Sequence, residues 1–341
     1  VLGDFLAARR AEALAVGPEV APLVDAADRL IRGGKRFRPA FCWWGYAAAK
    51  GQPDGAGPVL TAAGSFDLLH ASALAHDDVM DDSDTRRGEP AAHVTFAGRH
   101  RDGGWRGDPD AFGRAGAILL GDLLLVWSVA MLESSGIERL AAARPYVEAV
   151  RTEVTCGQFL DILAQSAPAD PDRAVDLSRR VTEYKSARYT VTRPLQVGAV
   201  LGGASPEVVA ALGSYGSPLG RAFQLRDDLL GVYGDESVTG KPAGGDLVEG
   251  KQTLLVALAR ARSAEADRRR LDALVGDPDL TAAGIAEART IISGSGAVGL
   301  VEAEIDQHHE AALTALGTAD VHDDCRTALV ALADLAVRRE F

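Results

Sequence analysis

The stretch LLHASALAHDDVMDDSDTRRG, Leu68 to Gly88, decides how the rest of the chain is read. Phe66, Leu69, Ala73 and Leu74 recur at three- and four-residue steps, the period of one helix face, and lead into the aspartates. Asp77 and Asp81 are four apart, so on a helix their carboxylates lie on one face, one turn from each other. Asp78 and Asp82 stand beside them, and like charges stacked this way repel. Most acidic runs are exposed helix ends. Here the apolar ASALA directly precedes the cluster and places it where a buried helix ends. Carboxylates there need cations, and a hard divalent ion fits. Mg2+ takes one or two carboxylates and leaves its other positions to water and substrate phosphate.

Helical periodicity continues outward in both directions. The chain has 341 residues, enough for one large domain or two ordinary ones. Aromatic residues are only 6% and alternating β-branched runs are few, which favours helix over sheet. Val147, Val150, Val154 and Phe159 with Leu160 form a second apolar stripe. Ser205-Pro206-Glu207 has the form of a helix start, with Ser as N-cap and Pro in the first turn. The breaks are short and marked by Gly or Pro: Gly51–Gly57, Gly98–Pro109, Ala167–Pro171, Gly202–Ser205 and Asp277–Asp279. None has the character of a linker, and no repeat recurs at a fixed period. The expectation is a single all-α domain over residues 1–341, of roughly a dozen helices. AGAILLGDLLLVWSVAML, Ala115 to Leu132, approaches membrane-span length. With Asp122 at its middle and no basic flank, it reads as a buried core helix rather than a membrane span.

Lys plus Arg number 36 against 48 for Asp plus Glu, a formal net charge of −12. Nucleic acid is excluded as a partner, because neutralising phosphates takes a surplus of Lys and Arg. Cys42, Cys156 and Cys325 are odd in number and far apart, without CxxC spacing. They read as buried thiols in a reducing compartment. The amphipathic N-terminus is not a signal peptide, and the expected location is the cytoplasm.

A second acidic cluster lies in FQLRDDLLGVYGDESVTGKPAGGDLVEGK, Phe223 to Lys251. Basic residues accompany both clusters. Lys35 and Arg38 occur in GGKRFRP, where Gly33 and Gly34 free the backbone and Pro39 opens a helix. Arg86 and Arg87 follow the first cluster within a turn or two, and Lys185, Lys241 and Lys251 fall near the second. Arg grips phosphate oxygens bidentately and Lys acts as a point charge. An acidic chain that keeps such residues beside two aspartate pairs is built to hold polyphosphate through metal.

The motifs resemble the polyprenyl synthetase family, the head-to-tail trans-isoprenyl diphosphate synthases. The match runs from about Gly33 to Lys251 in the family's order: GGKRFRP, LLHASALAHDDVMD, RRG, LLGD (Leu119–Asp122), GQFLD (Gly157–Asp161), YKSA (Tyr184–Ala187), FQLRDD and GDLVEGKQT. The resemblance implies a large helical bundle of the isoprenoid synthase type that joins isopentenyl diphosphate to an allylic diphosphate. It implies that Asp77 and Asp81 ligate magnesium on one wall and Asp227 on a facing one, with about three ions per active site. Asp78 and Asp228 are then supporting carboxylates. Arg86, Lys185 and Lys251, with Lys241 close by, hold the allylic diphosphate. Lys35, Arg38, His70 and Arg87 bind isopentenyl diphosphate without metal. Ser186 and Gln224 turn oxygen dipoles toward the allylic cation. Asp122 and Asp161 fit either second-layer partners of Lys or metal-bound water, or buried caps, and His76 reads as structural. A homodimer is implied.

Two positions depart from the family pattern. Gly231 stands where the second motif often carries a third Asp, and Ser186 replaces the commoner Thr. A terpene cyclase shares the acidic motifs but has one diphosphate to bind and no use for Lys35, Arg38, His70 and Arg87. A His-Asp phosphohydrolase needs more histidines than the seven present. A non-catalytic synthase subunit commonly loses one Asp pair, and both are kept here. For product length, the small Ser72 and Ala73, five and four residues before Asp77, leave the tail pocket open. Leu69 and Phe66 are the first bulky candidates for its floor, Phe66 roughly 16 Å along the helix from Asp77. That depth points to geranylgeranyl diphosphate (C20), with farnesyl or longer chains as alternatives.

Overall fold

The computed structural model describes residues 1–52, 55–166, 170–234 and 244–338, and helix dominates them. The chain divides into two compact units, residues 1–43 with 52–141 and residues 44–51 with 142–341.

The first unit contains α1 (Leu2–Leu14), α2 (Ala21–Ile31), the first half of α3 (Phe37–Lys50), α4 (Gly57–Met80), α5 (Ala92–Asp102) and α6 (Pro109–Glu133). Asp108 caps α6 by accepting from the Asp110 amide at 3.0 Å, ahead of Pro109. Val24, Ala27 and Ile31 of α2 share a core with Leu68, Ala71 and Ala75 of α4, Phe96 of α5 and Leu120, Leu124, Trp127 and Met131 of α6. A fully buried side chain of this size stabilises by about 1.5–3 kcal/mol, so the α4–α6 seam holds the unit together. Gly121 lets the helices close up, because a Cβ there would strike the His76 imidazole. His76 Nε2 lies 3.1 Å from the Ile118 carbonyl oxygen and 3.4 Å from the Asp122 carboxylate. His76 is therefore structural, and Asp122 is its exposed partner rather than a buried cap.

Two expectations for this unit need correction. α6 is long and apolar enough to cross a membrane, but it is not buried all round. Its outward side exposes Phe112, Ile118, Leu119 and Val126, the last two by 60% and 62%. α5 runs through Gly98 and ends only at Asp102, since one glycine costs a helix interior about 1 kcal/mol and packing against α6 outweighs it. Arg86 and Arg87 do not continue a helix. They belong to a hairpin, β1 (Thr85–Arg86) with β2 (Glu89–Pro90), paired antiparallel.

The second unit contains the rest of α3 and most of α7 (Leu140–Ser166), followed by a continuous helical run. That run is α8 (Pro171–Val181), a π-helical segment (Thr182–Thr192) and α9 (Arg193–Gly202). Next come α10 (Pro206–Tyr233), α11 (Gly245–Val248), α12 (Leu254–Arg262), α13 (Glu265–Leu274), α14 (Ala282–Gly294), α15 (Ala297–Thr318) and α16 (Asp323–Val337). The predicted start of α10 is present, with Ser205 Oγ accepting from the Val208 amide at 3.4 Å. α10 is the central element and packs against the π-helical segment, α9, α15 and α16. The Tyr215 hydroxyl donates to the Leu329 carbonyl at 2.7 Å inside that packing. Pro194, in the first turn of α9, has no amide proton for the carbonyl four residues back. The π-helical turns precede it directly, and such turns recur at functional sites. Val147 and Val150 are buried as expected, whereas Phe159 is 65% exposed because the stripe on α7 drifts round the helix. Cys42 and Cys325 are buried and Cys156 is exposed, and all three are free thiols.

Candidate active site

α4 carries the first aspartate motif at its C-terminal end. His70, Ala73, Leu74, Asp77 and Asp81 lie on its partly open side, whereas Phe66, Leu69, Ser72 and Asp78 are buried. Ser72 lies about 140° round the helix from Asp77, while Ala73 shares its side. The helix stops because Asp81 ends it and Asp82 turns into the left-handed region at φ 50°, which Asp tolerates better than most residues. Asp78 accepts from Arg86 Nε at 2.7 Å and also from Arg86 Nη2, and Arg86 Nη2 lies 3.8 Å from Asp77 Oδ2. Burial pushes the Asp78 carboxyl up in pKa against the pull of Arg86. Its second oxygen, Oδ2, is buried without a hydrogen-bond partner.

The basic residues of this unit converge on the same helix. Arg87 and Gly88 make the hairpin turn with φ 56° and 76°, the two positive values that a type I′ turn requires. The turn aims Arg87 at the end of α2, where Nη1 donates to the Arg32 carbonyl at 2.9 Å and to the Leu30 carbonyl at 3.4 Å. Those carbonyls are the unsatisfied, partly negative end of α2. Gly33 and Gly34 (φ 81° and 82°) admit the guanidinium, since Arg87 Nη2 would lie 3.1 Å from a Cβ at position 34. His70 is held neutral, its pKa driven well below the ordinary value by burial and then by Arg38, Arg87, Arg86 and Arg36. Arg36 and Asp67 were missed in the sequence. Nothing in GGKRFRP separates Arg36 from its neighbours, yet Arg36 Nη1 pairs with Asp67 at 2.6 Å. Four guanidinium groups thus lie close enough to act on one imidazole.

The second motif lies on α10 of the other unit. Asp228 is buried and accepts from Gln224 Nε2 at 2.8 Å, which commits the amide nitrogen of Gln224 to that carboxylate. Burial pushes Asp228 up to about 8, with Gln224 opposing, Asp246 and Asp227 adding, and Lys251 opposing. Asp246 was also missed. Its carboxylate sits against Gly231, in the space a Cβ there would occupy. Lys251 Nζ lies 2.6 Å from Glu249 and 3.7 Å from Asp246. Lys185, on the π-helical segment beside the half-buried Ser186, pairs with the buried Asp161 at 2.6 Å. Asp161 is thus a partner of Lys rather than a cap. Gly157 of α7 and Gly220 of α10 touch this segment at Lys185 and Ala187, where a Cβ would collide with backbone. Glu183 and Glu153 fix its remaining side through Arg188, Arg193 and Arg221. Lys241 lies outside the described residues.

Among the described residues, no three His, Cys, Asp or Glu side chains gather closely enough to hold a metal by themselves. The donors near the first motif are carboxylate oxygens, and the buried Asp78 Oδ2 lacks a partner. Such donors suit a hard divalent cation that takes part of its coordination from water and phosphate.

The fold defines a class, an all-helical protein that carries an aspartate pair on each of two long helices. Residues 20–292 match the polyprenyl synthetase family. A short chain isoprenyl diphosphate synthase of Methanothermobacter thermautotrophicus is 34% identical over 321 residues, 93% of this chain and 90% of that protein. A geranylgeranyl diphosphate synthase of Mycobacterium tuberculosis is 35% identical over 315 residues, 90% of this chain and 80% of that protein. The crystal structure of the Corynebacterium glutamicum geranylgeranyl pyrophosphate synthase, complexed with isoprenyl diphosphate and magnesium, superposes with a TM-score of 0.94. It is 41% identical and covers 99% of this chain and 96% of that one. The chain belongs to the polyprenyl synthetase family and is a prenyltransferase with the all-α isoprenoid synthase fold.

Proposed function

We propose that the protein condenses isopentenyl diphosphate with allylic diphosphates, head to tail, to make geranylgeranyl diphosphate and release pyrophosphate. The observation that carries this reading is the cluster of Arg36, Arg38, Arg86 and Arg87 around His70, seven residues before Asp77 on the same helix. A chain that bound one diphosphate through metal would not need that cluster as well. Asp77, Asp81 and Asp227 would hold magnesium, about three ions in all, which would supply positive charge for the leaving diphosphate. Asp78 and Asp228 support them. Arg86, Lys185 and Lys251, with Lys241, hold the allylic diphosphate. Ser186 and the oxygen of Gln224 face the allylic cation, an orientation favoured by the commitment of the Gln224 nitrogen to Asp228. Lys35, Arg38, His70 and Arg87 hold isopentenyl diphosphate so that its alkene meets the cation, and the released pyrophosphate takes the proton. The test is pyrophosphate release with Mg2+ and both substrates, against each substrate alone. Release from the allylic diphosphate alone, with a hydrocarbon product, would instead indicate a cyclase.

The exposed apolar face of α6 supports a homodimer, since soluble proteins rarely leave such a stripe uncovered. Leu119→Glu together with Val126→Glu should halve the mass measured by light scattering, and an unchanged mass argues against this face. Three free thiols accord with a cytoplasmic protein.

A further inference from the structure

Arg36 lies between Lys35 and Arg38, with its backbone in the left-handed region at φ 54°, where large side chains are uncommon. Two contacts on its guanidinium hold it there. Nη2 donates to the carbonyl of Ile31, the last residue of α2, at 2.7 Å, and Nη1 pairs with Asp67 at 2.6 Å. Asp67 belongs to α4 and precedes His70 by three residues, so the two share one side of that helix. The Arg36 side chain thus ties the loop between α2 and α3 to the helix that carries His70 and Asp77.

We infer that Asp67, acting through Arg36, is a positioning residue of the metal-free diphosphate site. It fixes the 32–36 loop so that Lys35 and Arg38 meet the same diphosphate as His70. This rests on the reading of Lys35, Arg38, His70 and Arg87 as ligands of isopentenyl diphosphate. Charge and position make opposite predictions. Asp67 is a negative charge in the field of Arg36, Arg38 and Arg87. By Coulomb attraction alone its removal makes the site more positive and tightens diphosphate binding. If Asp67 positions the loop, its removal weakens binding.

Steady-state kinetics of Asp67→Asn and Asp67→Ala decide between them. The expected result is a rise of about tenfold in KM for isopentenyl diphosphate, with kcat and the allylic KM within about twofold of the parent. Asp67→Glu should recover most of the loss, and Arg36→Ala with Asp67→Ala should be no worse than Arg36→Ala alone. An unchanged or lower KM for isopentenyl diphosphate in Asp67→Asn overturns the inference, as does an equal rise in both KM values. Circular dichroism establishes folding. If Asp67→Ala unfolds, the isosteric Asp67→Asn and Arg36→Lys carry the test. Lys35→Ala and Arg38→Ala separate the two levels. If they too leave KM for isopentenyl diphosphate unchanged, the diphosphate-site reading fails. If they raise it while Asp67→Asn does not, only the positioning role fails.

Discussion

The carboxylate of Asp246 lies against Gly231, in the space that a side chain at position 231 would fill. Position 231, where the second motif often carries a third aspartate, is thus crowded by a carboxylate from fifteen residues further along the chain. Gly231→Asp, which restores the usual motif in sequence, should therefore do harm. It forces a Cβ into an occupied site and sets two like charges together beside the buried Asp228. Overpacking of this kind costs about 1–3 kcal/mol, and Tm should fall by several degrees with at least a tenfold loss of turnover. Asp246→Gly added to Gly231→Asp should recover part of both. Parental Tm and turnover in the single variant would show that the two positions do not compete.

Asp77→Ala and Asp227→Ala should each abolish turnover while the protein stays folded. Relief of repulsion among neighbouring carboxylates should raise the melting temperature of each variant without Mg2+, the usual trade of stability against activity. Near-parental turnover of both variants at saturating Mg2+ would remove these residues from the metal site.

Glu183 gives the stability curve a predictable acid limb. Burial raises its carboxyl, but hydrogen bonds from Arg188 and Arg221 outweigh that and hold it below its ordinary value. A depressed carboxyl contributes stability above its unfolded value, near 4.5, and loses that contribution as pH falls through its folded value. Glu183→Gln should therefore lower Tm at pH 7, by the equivalent of about 1–3 kcal/mol for the charged bonds lost. The gap to the parent should narrow steadily below pH 4.5. Calorimetric scans from pH 7 to pH 3.5 measure it, and a gap independent of pH would mean the ion network contributes nothing through charge.

Ala73 shares the open side of α4 with Asp77, about 6 Å along the axis, and on the proposed reading a bulky group there meets the product tail. Ala73→Phe should shorten the product from C20 toward C15 with activity retained. Ser72 is buried about 140° away, so Ser72→Phe should disturb packing more than product length. Unchanged product length in Ala73→Phe would place the floor elsewhere.

The helical class, the start of α10 and the clustering of basic residues near Asp77 were legible because each rests on local pattern or ordered motif. What was not legible depends on tertiary approach. Nothing near Gly231 announces that Asp246 packs against it, and nothing in GGKRFRP announces that Arg36 reaches Asp67. The hairpin at RRG was not legible because Asp82, Arg87 and Gly88 signal a turn only once their positive φ values are known. The open face of α6 was not legible because its composition is apolar on every side, and composition does not tell a buried face from an exposed one.

The most direct test of the proposed reaction is mass spectrometry of the prenyl diphosphates formed from isopentenyl diphosphate, Mg2+ and each allylic starter of five, ten or fifteen carbons. All three starters should converge on a C20 diphosphate, with one pyrophosphate released per C5 unit added. Accumulation of C15 from the two shorter starters, or chains well beyond C20, would contradict the product assignment. No elongation from any starter would contradict the condensation itself.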